Sequence, residues 1–247
     1  MKQPLISIIT VTFNAAGTLE RAIRSVLNQT YGNYEYIIID GASTDGTTDI
    51  VGRYSDRLTY WISEPDRGLY DAMNKGIAAA HGDYIYFLGS DDMLFPTALE
   101  EIFSGRTFDS GTVIYGNVRF STGFVYGGEF SRWRLTTQNL SHQSAFYPAA
   151  VQKANLYELE YRYFADWVLN MKLWGGEVCR FLHVPTIVAE YDINGASSGG
   201  DPHFKKMKHK LIYRHLGLWC YLFYPVVRLY MMYKYKRHSK RSKIKTA

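Results

Sequence analysis

The sequence predicts an α/β fold, a mostly parallel sheet with helices on both faces, and three observations carry that expectation. Apolar, β-branched runs alternate with segments of helical spacing through the first hundred residues. Those runs are continuous rather than alternating, as in strands covered on both faces. Each of four runs also ends in polar residues. In an open parallel sheet with right-handed crossovers, these ends lie along one edge, where ligands bind.

The elements follow in order. "LISIITVTF" (5–13) is the first strand, ending in Thr12-Phe13-Asn14. From Thr18, the spacing of Leu19, Ala22, Ile23, Val26 and Leu27 predicts a helix. "YEYIIID" (34–40) is a second strand ending in Asp40-Gly41, and the polar stretch 49–57 a short helix. "LTYWIS" (58–63) is a third strand, ending in Ser63-Glu64-Pro65-Asp66. Leu69, Ala72, Met73, Gly76, Ile77 and Ala80 predict an amphipathic helix, and "YIYFL" (84–88) a fourth strand ending in Gly89-Ser90-Asp91-Asp92. Pro96 opens the next helix, at a position where proline is tolerated. Beyond it the pattern is less regular: β-like stretches at 112–126 and 178–191, and a helix at "ADWVLNMKLWGG" (165–176) that its glycines stop.

At 247 residues, 47% of them apolar, the chain can bury a sizeable core. It opens on Met1-Lys-Gln-Pro and passes directly into strand-like sequence, leaving no room for a signal peptide. Cys179 and Cys220 are far apart, with no CxxC spacing for zinc or a disulfide framework. A cytosolic location is expected. Residues 1–204 hold all 23 acidic residues against 15 Lys/Arg, and 205–247 hold the other 13 Lys/Arg and no acid. An acidic body thus carries a basic tail, and the acidic body argues against nucleic acid as a partner.

"YIYFLGSDDMLFP" (84–96) concentrates the chemistry. Adjacent carboxylates at a strand end are costly without a positive partner, and a hard divalent cation is the commonest reason to keep them. Mg²⁺ or Mn²⁺ takes one or two protein oxygens and fills its shell with water and substrate phosphates. The chain has neither GxxxxGK[ST] nor GxGxxG. A metal and a diphosphate without either cradle is what a nucleotide-sugar enzyme needs.

"ISIITVTFNAAGTLERAIRSVLNQTY", "YIIIDGASTDGT", "SEPDRGLYDAMNKGIAAAHGDYIYFLGSDD" and "FADWVLNMKLW", in that order, resemble family 2 inverting glycosyltransferases with the GT-A fold. The resemblance spans roughly 5–195, is densest over 5–96, and is strongest to bacterial members that build exopolysaccharide, capsule or O-antigen. It implies a donor-binding half (1–96), an acceptor-binding half (97–204) and a separate tail (205–247). It implies that Thr12, Phe13 and Asn14 line the base and ribose pocket and that Asp40 accepts a hydrogen bond from the nucleobase. Asp66-Arg67 and Asn74-Lys75 would border the diphosphate and sugar. Asp92 would hold the metal, with Asp91 sharing it or binding the ribose, although Gly89 stands where many relatives have an aspartate. Asp166 would be the catalytic base, and otherwise an acid complementing a helix dipole. His142-Gln143 resembles an acceptor-region pair, with His142 assisting metal or leaving group, or simply packed. Tyr191, Asp192 and Ser197 would belong to a loop closing over the donor.

The tail segment "LGLWCYLFYPVVRLYMMY" (216–233) is interrupted by Pro225 and Arg228, short of the roughly 20 apolar residues of a spanning helix. Its aromatic and basic residues fit a segment lying in the membrane interface, placing the chain on the cytoplasmic face beside a lipid-linked saccharide acceptor. The other reading is a helix packed on the body with a solvated basic end. Two further functional readings stay open here. A sugar-phosphate nucleotidyltransferase usually shows a glycine-rich loop where this chain has "TFNAAGT", and an inactive membrane-attached scaffold would fit the glycine at 89.

Overall fold

Seven consecutive residues of β1 (Ile6–Thr12) are buried, so both faces of this strand are covered. One cover is α1 (Leu19–Leu27), which turns Leu19, Ala22, Ile23 and Val26 inward at helical spacing. The computed structural model of the protein describes residues 3–176, 179–191 and 200–245. β2 (Tyr34–Asp40), α2 (Thr47–Arg53), β3 (Tyr60–Ser63), α3 (Leu69–Ala79) and β4 (Tyr84–Gly89) complete the alternating half. β1 pairs in parallel with both β2 and β4, and β2 with β3. Thr12 lies opposite Asp40, and Asp40 opposite Ser63. The strand ends therefore align along one edge.

The second half departs from a simple repeat. β5 (Met93–Leu94) is a short strand that the sequence reading does not include, and α4 (Ala98–Phe103) begins two residues after Pro96 rather than at it. There follow β6 (Thr112–Phe120), β7 (Val125–Tyr126), α5 (Arg132–Leu135), β8 (Ala145–Pro148), α6 (Ala149–Ala154), α7 (Ala165–Gly175) and β9 (Arg180–Tyr191). Among the described residues the strands form one sheet in the order β3-β2-β1-β4-β8-β6-β9-β5, with β7 beside β6. β8 is antiparallel to both β4 and β6. No crossover helix of useful length precedes it, and an antiparallel strand needs none. Its reversed direction brings its beginning, at His142–Ser144, to the carboxyl end of β4.

α8 (Pro202–Leu211), a π-helical turn (Ile212–Leu216) and α9 (Leu218–Lys245) end the chain. Ile212, Leu216, Cys220 and Tyr224, spaced by four, form a buried stripe in the same core as α7. Gly175 ends α7 so close to this turn that a Cβ would lie 1.5 Å from the His215 carbonyl oxygen. Pro225 does not end the helix. α9 runs through it, anchored on that stripe. The carbonyl that proline leaves without its usual donor belongs to Tyr221, on the exposed side, where water can serve it. Trp219, Leu222, Val226, Leu229, Tyr230 and Tyr233 face outward. Among the described residues no helix is long and apolar enough to cross a membrane.

Candidate active site

β2 delivers Asp40, fully buried, to the edge. Its carboxylate accepts from the Ser43 amide at 2.9 Å, the Ser43 hydroxyl at 2.5 Å and the Ser63 hydroxyl at 2.6 Å. Thr12 stands beside it with a buried Oγ1 that has no hydrogen-bond partner among the described residues. Asn14, at a φ of 49°, locks this loop to the next: its N–H donates to Ser43 Oγ at 2.7 Å and its Oδ1 accepts from the Thr44 amide at 2.9 Å. Phe13 is 64% exposed at the mouth. Gly41 brings two strand ends together: a Cβ there would lie 2.5 Å from Asp66 Oδ2 and 3.3 Å from the Phe13 ring. Phe13, Asp40 and Asp66 thus share one wall. Asp66 Oδ1 also accepts from the Gly68 amide at 2.7 Å, shaping the turn into α3.

The neighbouring residues serve the scaffold. Arg67, well exposed, pairs with Asp71 at 3.0 Å. Lys75 pairs with Glu64 at 2.7 Å and donates to the Pro65 carbonyl at 2.8 Å, bracing the turn that holds Asp66. Both ends of the Asn74 amide engage the Tyr157 backbone, at 3.0 and 2.9 Å. Asn74 therefore ties α3 to the loop after α6.

At the end of β4, Gly89 proves to be a space requirement. A Cβ there would lie 2.5 Å from Asp92 Oδ2 and 2.9 Å from Asp91 Oδ1, so both carboxylates turn toward the point where a side chain would begin. Asp92 is 1% exposed and accepts from Gln143 Nε2 at 3.1 Å. Arg21, on α1, donates to the Asp91 carbonyl at 2.7 Å. Among the described residues no group of three or more His, Cys, Asp or Glu gathers as a metal cage. Two converging carboxylates do fit a hard cation that completes its shell with water and phosphate oxygens.

Asp166 begins α7 and is 4% exposed. Oδ1 accepts from the Tyr70 hydroxyl at 2.9 Å and the Trp167 amide at 2.8 Å. Oδ2 accepts from Asn139 Nδ2 at 2.8 Å and meets His142 Nδ1 at 3.0 Å. The Tyr70 oxygen is also 2.9 Å from the Tyr163 carbonyl, but its single proton favours the charged acceptor. Burial first, and then the Asp166 charge, hold the Tyr70 hydroxyl well above the ordinary phenol range, so it remains a donor. His142 and Gln143 are consecutive, one reaching Asp166 and the other Asp92. Tyr191 ends β9 and touches Phe120. Asp192 and Ser197 lie outside the described residues.

Several residues that hold the site go beyond the sequence reading: Ser43, Ser63, Arg21, Tyr70 and Asn139. Ser43, Ser63, Arg21 and Tyr70 sit inside quoted motifs and Asn139 in none. Their contacts come from strand alignment and long-range packing, which spacing does not report.

Fold and site together define a glycosyltransferase of the GT-A type. The glycosyl transferase family 2 profile matches residues 7–165, and the chain belongs to that family. Over 209 residues it is 36% identical to a "PGL/p-HBAD biosynthesis glycosyltransferase" of Mycobacterium tuberculosis, covering 80% of each chain. An uncharacterised glycosyltransferase of Haemophilus influenzae is 37% identical over 123 residues, about half of each chain (49%). Among solved structures, S. aureus TarS 1–349 in complex with UDP-GlcNAc superposes with a TM-score of 0.69 at 18% identity, over 85% of this chain and 66% of that one. The Pyrobaculum calidifontis mannosyltransferase in complex with GDP-Man and Mn²⁺ gives 0.62 at 16% identity, over 92% and 74%. The chain thus spans slightly less than two thirds of TarS 1–349, and these two likenesses concern the fold.

Proposed function

We propose that the protein transfers a sugar, with inversion, from a nucleoside-diphosphate sugar to a hydroxyl of a lipid-linked saccharide during surface polysaccharide assembly. The observation that carries this reading is the convergence of Asp91 and Asp92 over Gly89, on the edge that also holds Asp40 and Asp66. Phe13, Thr12, Asn14 and Asp40 form the nucleoside wall. Asp66 and the carboxylate pair face the diphosphate and the sugar. Asp92, with Asp91, would hold Mg²⁺ or Mn²⁺, whose positive charge would offset the charge on the departing diphosphate. Asp166 is the carboxylate of the proton-accepting centre, and a single displacement inverts the anomeric carbon. The sugar-nucleotide complexes of the two structural neighbours support a donor of this class.

The outward aromatic face of α9 and the basic residues 234–245 of the same helix would rest the protein on the cytoplasmic face of the membrane, beside a lipid-carried acceptor. The tested quantity is thermal unfolding against UDP, GDP and dTDP, each with and without Mn²⁺. A ligand that binds only the native state raises the midpoint by mass action. One nucleotide is expected to raise it in a metal-dependent way, and Asp92→Ala to abolish that rise. No rise with any of them would overturn the donor assignment.

A further inference from the structure

A carboxylate offers about four lone-pair positions, and all four of Asp166 are occupied by protein groups: Tyr70, Trp167, Asn139 and His142. A sugar hydroxyl approaching this buried carboxylate directly must displace one of them. His142 offers the open position. Its Nδ1 faces Asp166 at 3.0 Å, its side chain is 15% exposed, and among the described residues its Nε2 makes no hydrogen bond. The next residue, Gln143, is fixed to Asp92. The consecutive residues His142 and Gln143 therefore link the buried acid to the carboxylate pair, and Nε2 is the imidazole nitrogen left open among the described residues.

We propose that His142 Nε2 receives the acceptor's proton, and that Asp166 holds Nδ1–H and stabilises the imidazolium, an arrangement known from hydrolytic triads. This rests on the transferase reading above. The acceptor O–H bond breaks as its oxygen bonds to the anomeric carbon, and the proton passes to Nε2. The bond from that carbon to the diphosphate breaks, and its electron pair leaves with the nucleoside diphosphate. The imidazolium then releases its proton to water, and Asp166 stays ionised throughout. Aligned general-base transfer is worth about 10²–10⁴ in rate.

The experiment measures release of nucleoside diphosphate from UDP-GlcNAc, UDP-glucose and GDP-mannose, with Mn²⁺ and an alkyl glycoside as acceptor, in wild type, His142→Ala, His142→Gln and Asp166→Asn. His142→Ala should lose about 10²-fold or more, keep the metal-dependent thermal shift, and regain turnover with free imidazole. His142→Gln keeps a donor toward Asp166 and serves as the folded control, inactive and unrescued. Near-normal turnover in His142→Ala, while Asp166→Asn is dead, would overturn the proposal in favour of direct attack by the carboxylate. Loss of the thermal shift in His142→Ala would overturn it in favour of a role at the donor. If wild type releases nothing from any donor, the transferase reading falls first, and this proposal with it.

Discussion

The first 96 residues and the stretch after them solve the same problem, holding carboxylates in a cleft, in different ways. In the first stretch, parallel strands deliver Asp40, Asp66, Asp91 and Asp92 in chain order, and most of their partners are close at hand. Ser43 is three residues from Asp40, and Gly89 lies just before the pair it accommodates. In the second, Asp166 draws on Tyr70, Asn139 and His142, and only Trp167 is a neighbour in sequence. The first set of carboxylates can be placed locally because a strand end presents its loop in a fixed direction. The buried Asp166 draws opposed groups from several directions, so its surroundings form only when the sheet has closed.

This contrast can be broken at its local end with Gly89→Ala. The new Cβ would push both carboxylates away from their shared point, and a misplacement of that size costs about 10²-fold in turnover. Nucleoside diphosphate release should fall accordingly while the unfolding midpoint stays near wild type. Unchanged turnover would show that the glycine is incidental. At the non-local end, Tyr70→Phe keeps the ring beside Tyr157 but removes a donor from a buried carboxylate. Urea unfolding should show a loss of roughly 2 kcal/mol, in the range for hydrogen bonds to charged groups. A loss of about 1 kcal/mol, the value for a neutral acceptor, would instead point to the Tyr163 carbonyl as the partner of that hydroxyl.

The smallest effect sharpens the role of the tail. Lys208 Nζ lies 4.0 Å from the Trp167 ring centroid, and burial, with Arg228 adding to it, pushes its ammonium down to about 8. A base whose folded value is lowered opposes folding while protonated, so stability rises as pH climbs from about 8 toward its ordinary 10.5. Lys208→Met removes that cost. Its gain in urea midpoint over wild type should be largest at pH 7 and shrink by pH 10. An equal gap at both would show that the charge is not what burial opposes.

The alternating half was legible because its chemistry follows period and strand ends: β1 to β4, α1 and α3 appear where apolar spacing puts them. The antiparallel course of β8 was not, because nothing in "SAFYP" states a direction, and the chain reverses to fill the gap between β4 and β6. Asp166 and His142 were each visible, but their 3.0 Å contact is a product of that reversal. That α9 continues through Pro225 was not legible either, because the buried stripe at Leu216, Cys220 and Tyr224 that anchors it is a tertiary contact. Ser63 was visible as a strand-end residue, but its bond to Asp40, like that of Arg21 to Asp91, is set by sheet register or helix packing.

Tyr70 has a consequence for how such enzymes can be recombined. It opens α3 directly after the turn shaped by Asp66, and its hydroxyl ends on Asp166, so one phenol spans the two stations like a gauge block of fixed length. A chimera that takes its donor half from one relative and its acceptor half from another inherits the two ends of that gauge from different parents. Such hybrids should work only when the residue at 70 travels with those at 139, 142 and 166. Donor specificity and acceptor chemistry would then be exchangeable as a matched set, and not as separate modules.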